Sequence, residues 1–121
     1  MAEDFPIDSA GFAQFQADMA KYDPRSTYRA GDLFDAWLAA NVVAQAAKTL
    51  PTVSAKSLLN YFSTTTSINT FGATDPLNFT VPDPAMGGLI PRLCDAKDAL
   101  YHYVNGQLVE VTPFVDLLPG A

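Results

Sequence analysis

The residues that could do chemistry in this chain are few and scattered. His102 is its single histidine and Cys94 its single cysteine. One imidazole without clustered thiols or carboxylates builds no metal site, because a structural or catalytic zinc needs three or four convergent ligands. A Ser-His or Cys-His nucleophile fares no better, and no G-x-S-x-G elbow is present. His102 alternates with Tyr101 and Tyr103, which predicts a strand residue facing away from both. Cys94 follows Pro91-Arg92-Leu93 in a loop-like stretch where only Arg92 could favour a thiolate. Gly87 and Gly88 precede no basic phosphate loop. Asn78-Phe79-Thr80 matches the N-glycosylation pattern, a three-residue match that means little without an export signal. No enzyme is expected, and no cofactor or metal.

Asp32 and Asp35 stand one helical turn apart at the start of an apolar helix. As a general acid/base pair they would need a pocket and shifted acidities. The simpler reading has Asp32 cap the helix and Asp35 favour its positive end. The other reading is ligand contact. A helix N-terminus beside a cleft can present Tyr28, Phe34 and Asp35 to a small molecule.

The element that must carry those residues is the most telling part of the chain. Leu33–Leu50 (LFDAWLAANVVAQAAKTL) reads as a helix with very little polar surface. At 100° per residue, Asn41, Gln45 and Lys48 fall within an arc of roughly 60°. Most other positions between Ala36 and Ala47 are Ala, Val, Leu or Trp. Such a helix demands cover on most sides, and the rest of a 121-residue chain looks thin for the task.

Before it, Asp8 or Ser9 caps a first helix running to about Lys21. Phe12, Phe15 and Met19 share one of its faces. Pro24 ends that helix, and a linker of turn residues leads to Asp32, which occupies the N-cap position of the long helix; Pro51 stops the latter. A third helix spans Ser54 to about Ser63. Ser54 is its cap, Val53 and Leu58 form a hydrophobic staple, and Leu58, Leu59 and Phe62 make its buried side. After Thr64 the texture becomes rich in proline and glycine, with one short strand candidate at Leu77–Val81. Tyr101–Val104 and Gln107–Thr112, joined by Asn105-Gly106, predict a hairpin with a type I′ turn. An apolar tail, Thr112–Ala121, follows.

Composition bounds the function. Hydrophobic residues at 49% and charged residues at 17% exclude a disordered class. The net charge of −6 argues against nucleic acid and gives no polybasic patch for anionic membrane. A lone cysteine permits no internal disulfide. The amino terminus lacks the features of a signal peptide, so the chain expressed as written is expected in the cytoplasm. No direct membrane insertion is expected, since the apolar run is too short to span a bilayer.

The order of landmarks resembles the carboxy-terminal third of the type I periplasmic binding proteins, the branched-chain amino-acid receptors of ABC transporters. The similarity covers about residues 10–112. It rests on Phe12, Phe15 and Tyr22, then Tyr28, then Gly31-Asp32-Leu33-Phe34-Asp35-Ala36-Trp37 opening an Ala-rich helix. Val53-Ser54-Ala55, Leu58-Leu59, Thr64-Thr65-Thr66, Gly72 and Pro76-Leu77-Asn78-Phe79 continue it. Pro91-Arg92 and Tyr101 through Val109 complete it.

The resemblance implies an α/β fold of two lobes, of which this chain holds a part: three helices, a Pro/Gly-rich crossing and a β-hairpin. Residues 1–80 would complete the first lobe. Residues 81–121 would form the hinge crossing and terminal strands of the second. The implied function is an extracytoplasmic or periplasmic solute-binding component. It would hold a small polar ligand such as an amino acid between lobes and, through the intact parent, deliver it to an ABC permease. The family commonly carries Tyr-Asp-Ala where this chain has Phe34-Asp35-Ala36, with an aromatic near Tyr28; these three are the substrate-binding candidates. The alternative is an independent helical interaction or dimerisation domain that binds no ligand and self-associates through exposed apolar surface.

Overall fold

The structure, a computed structural model, describes residues 9–26, 31–81 and 97–116. Tyr28, Gly87, Gly88, Pro91, Arg92, Cys94, most of the Pro/Gly-rich crossing and the end of the apolar tail lie outside the described residues. The described residues form three helices and a two-stranded antiparallel sheet, a mixed α/β composition.

Helix α1 spans Ala10–Tyr22. Ser9 is its N-cap, with its hydroxyl oxygen accepting from the Phe12 N–H at 3.1 Å. A second N–H of the first turn, that of the buried Gly11, donates to the Phe71 carbonyl at 2.8 Å. Two of the four donors that a helix start leaves without partners are thereby satisfied.

Helix α2 spans Asp32–Thr49 and α3 spans Ala55–Thr64. The N-cap of α2 is Gly31, at φ +55°, and not Asp32. Glycine reaches that backbone region without the Cβ penalty, so the chain turns there and Asp32 becomes the first helical residue. Its carboxylate, with that of Asp35, sits in the first turn, where the helix dipole favours negative charge. The expected cap of α3 is present in a fuller form. Ser54 and Ser57 form a reciprocal capping box, with each side chain bonded to the other's backbone N–H.

The expected buried side of α3 does not form. Leu58 and Phe62 are half-buried, but Leu59 is 60% exposed and no residue of α3 is fully buried. Val53, the outer half of the predicted staple, is also exposed. The strand expected at Leu77–Val81 reduces to one antiparallel bridge between Ile68 and Leu77, held by bonds of 2.9 and 3.0 Å.

Strands β1 (Lys97–Val104) and β2 (Gln107–Asp116) make the hairpin, longer at its open end than the sequence pattern suggests. Asn105 at φ +51° and Gly106 at φ +84° occupy its two central turn positions, the left-handed pair that a type I′ turn needs. Register shifts on either side of Leu100 insert extra residues into β2. The two strands run against each other and, among the described residues, against no helix. Lys97 pairs with Asp75 at 2.8 Å, which ties the base of the hairpin to the loop after α3.

The core is small and aromatic. Phe15, Phe34 and Ala73 are its buried centre, with Phe12, Met19, Trp37 and Leu38 packed around them. The loop over residues 68–77 closes one side of the α1–α2 pair. Gln45 donates to the Asn69 carbonyl at 2.9 Å, and the Trp37 and Phe71 rings lie 5.9 Å apart.

Candidate functional site

The orientation of α2 decides what the chain can present. Its buried residues are Phe34, Val42 and Ala46. Trp37, Leu38, Asn41 and Gln45 flank them at partial exposure. The polar arc predicted from the sequence therefore borders the packed side. Asn41 is accommodated there by donating to the Trp37 carbonyl at 2.9 Å, and Gln45 by its bond to Asn69. Polar amides tolerate such a position when their donors are satisfied. The opposite side, with Leu33, Ala36, Ala39, Ala40, Val43 and Ala44, is exposed, and its charge is confined to Asp32 and Asp35 in the first turn.

Of the predicted ligand residues, Phe34 and Asp35 do not share a surface. Phe34 is 0% exposed. Its ring meets Phe12 at 5.5 Å and Phe15 at 5.4 Å edge-on, and stacks on Trp37 at 5.9 Å. Edge-to-face and offset contacts at these separations are the favourable arrangements of aromatic quadrupoles. Phe34 is thus a core residue here and offers no face to a solute. Asp35, the next residue, points about 100° away around the helix and is exposed. Tyr28 lies outside the described residues.

One polar constellation was missed by sequence reasoning. The Trp37 indole N–H donates to Asp18 Oδ2 at 2.9 Å, and the Gln14 amide donates to Asp18 Oδ1 at 3.0 Å. Gln14 and Asp18 are four apart on α1, a spacing that brings side chains together. The partner on α2 could not be read from local pattern. The arrangement orients an aromatic ring and anchors two helices. It leaves both carboxylate oxygens engaged, a structural role rather than a proton-transfer one.

His102 is exposed on β1 opposite Val109, with no metal-ligand cluster of three or more groups among the described residues. Asn78 accepts from both the N–H and the hydroxyl of Thr80, at 2.9 and 2.7 Å, an ordinary Asx turn. Among the described residues no helix is long and apolar enough to cross a membrane. The hairpin, like α2, exposes apolar residues: Leu100, Val104, Val109 and Val111. Among the described residues, uncovered apolar faces are the most extended surface feature. Comparisons with protein-family models, with curated proteins and with solved structures find no match.

Proposed function

We propose that this chain is the carboxy-terminal part of a type I solute-binding receptor of an ABC transporter, which closes two lobes on a small polar ligand such as an amino acid. The single observation behind this reading is the uncovered apolar side of α2. A surface helix of a complete domain turns its polar arc to water. This one lays Asn41 and Gln45 along the packed side, leaves Lys48 in water and turns its Ala/Val side outward. A sheet belonging to the rest of the parent would cover that side, as helices in α/β folds cover sheets. The hairpin, which packs on none of the three helices, suits the same account, since paired strands need further strands or a helix for stability.

Within this reading Asp35 is the remaining described ligand candidate, with Tyr28 in the linker that precedes α2. Phe34 would support the cleft from behind, through the aromatic core. The permease is the partner of the intact parent, and the location is extracytoplasmic.

The test is genetic and then calorimetric. An in-frame reading region upstream of Met1 that encodes a first lobe is the expected finding. The joined product should bind one or more amino acids in solution, and Asp35→Asn should weaken that binding without lowering the melting temperature. A joined product that binds none of a panel of small polar solutes would remove the proposal.

A further inference from the structure

Five asparagines stand in the chain, and Asn105 alone is followed by glycine. Asn41, Asn60, Asn69 and Asn78 precede Val42, Tyr61, Thr70 and Phe79, whose side chains crowd the next backbone nitrogen. Three of these four also have their side-chain amides held. Asn41 donates to the Trp37 carbonyl, and the amide oxygens of Asn69 and Asn78 accept from the Phe71 and Thr80 N–H groups. At the hairpin turn both Asn105 and Gly106 are exposed, and a Cβ built on Gly106 would meet nothing within 4 Å. Asparagine is thermolabile, and this one lies beside an unshielded backbone nitrogen.

We infer that Asn105-Gly106 is a self-modification site, at which the chain converts Asn105 to isoaspartate with water as the sole co-reactant. The inference does not rest on the receptor reading. The Gly106 nitrogen, on losing its proton, bonds to the Asn105 Cγ. The Cγ–Nδ2 bond breaks, ammonia leaves with that proton, and a succinimide ring is closed. Water then opens the ring at either carbonyl. Opening at Cγ gives ordinary aspartate. Opening at the α-carbonyl, the main course, leaves the backbone running through the side chain as isoaspartate.

The fold sets the pace of this reaction. Asn105 is held at φ +51° and Gly106 at φ +84°. In the left-handed conformation the following nitrogen stands nearly opposite the side chain across the Cα–C bond. Ring closure therefore requires rotation about that bond, which breaks the turn. Among the described residues the pairing of β1 with β2 is what resists the rotation, since the hairpin packs on none of the helices. A two-stranded hairpin is marginally stable in water. The Lys97–Asp75 pair ties its base, and the turn lies at the end far from that tie. The product then keeps the turn open. Isoaspartate adds a backbone carbon to a two-residue loop, so the type I′ geometry that sets the Val104–Gln107 register is lost.

The test ages the 121-residue chain at mildly alkaline pH and physiological temperature, then reads its tryptic fragments by mass spectrometry. The fragment that follows Lys97 should gain the mass difference between an amide and an acid. Enzymatic methylation of isoaspartyl groups should identify isoaspartate as the main product. Fragments that hold the other four asparagines should stay unchanged over the same period. Unfolding in urea should raise the rate at Asn105 several-fold, because the turn no longer holds the nitrogen away. Amide hydrogen exchange over residues 101–110 should quicken in the aged chain. It should not in freshly prepared Asn105→Asp, which carries the same added charge on an ordinary backbone. The inference is overturned by an Asn105 that survives unaltered, by equal conversion at the other asparagines, by a rate that urea leaves unchanged, or by an aged chain that exchanges like Asn105→Asp.

Discussion

Trp37 on α2 donates its indole N–H to the carboxylate of Asp18 on α1 at 2.9 Å, while its ring stacks on Phe34. One side chain thus joins the two longest helices by a charge-assisted hydrogen bond to Asp18 and a T-shaped contact with Phe15 of α1 at 6.1 Å, while its face packs on Phe34 of its own helix. Trp37→Phe separates these contributions. The ring packing is largely kept and the bond is lost, so stability should fall by about 1–2 kcal/mol in urea unfolding. A loss as large as that of a cavity-forming substitution would mean that packing and not the bond sets the cost.

Phe34 and Asp35 are neighbours in sequence with opposite expected behaviour. Phe34→Ala should cost roughly 3–5 kcal/mol, because it empties the centre of the aromatic cluster. Asp35→Asn, on the exposed side, should change stability by less than about 0.5 kcal/mol. Thermal melts of the two variants check this directly, and equal losses would contradict the observed orientation of α2.

At Gly11 a side chain would meet Phe71. An added Cβ lies 3.0 Å from the Phe71 Cβ and 3.1 Å from its carbonyl oxygen. In an open helix Gly→Ala gains roughly 1 kcal/mol. Here the overpacking should outweigh that gain by about 1 kcal/mol, since the nearest atoms are backbone and Cβ rather than a flexible end. A stabilised Gly11→Ala variant would show that the loop yields freely.

Thr70 is 2% exposed, and its hydroxyl both donates to the Thr74 carbonyl at 2.7 Å and accepts from the Thr74 N–H at 3.3 Å. Thr70→Val keeps the shape and strands both groups of Thr74. The expected cost is about 1–3 kcal/mol, with faster hydrogen exchange at the Thr74 amide as the local readout.

Elements whose signals are local were legible in the sequence. Ser9, Ser54 and Asn105-Gly106 each act on residues within a few positions, so cap and turn chemistry located α1, α3 and the turn of the hairpin within a residue or two, while the strands run four residues further at the open end. The orientation of α2 was not legible. A helix that is apolar around most of its circumference gives period analysis little to grip, and Asn41 and Gln45 defined the wrong outside because amides can face a packed side once bonded. The exposure of Leu59 was lost for a related reason: periodicity names a face without saying whether anything covers it. The Asp18–Trp37 bond and the loop over residues 68–77 depend on contacts distant in sequence, which leave no mark on local pattern. The candidate site fared similarly. Asp35 was found exposed, whereas nothing in its type told Phe34 apart from a ligand-facing aromatic.

The bond from the Gly11 N–H to the Phe71 carbonyl carries a consequence for how the chain is made. As the polypeptide leaves the ribosome, the start of α1 emerges well before its fastener, and α2 and α3 must both be synthesised in between. Closure over so long a separation is slow compared with helix formation. The first helix therefore remains loosely held at its leading end through most of synthesis, and a nascent chain halted before residue 71 would not have the means to lock it.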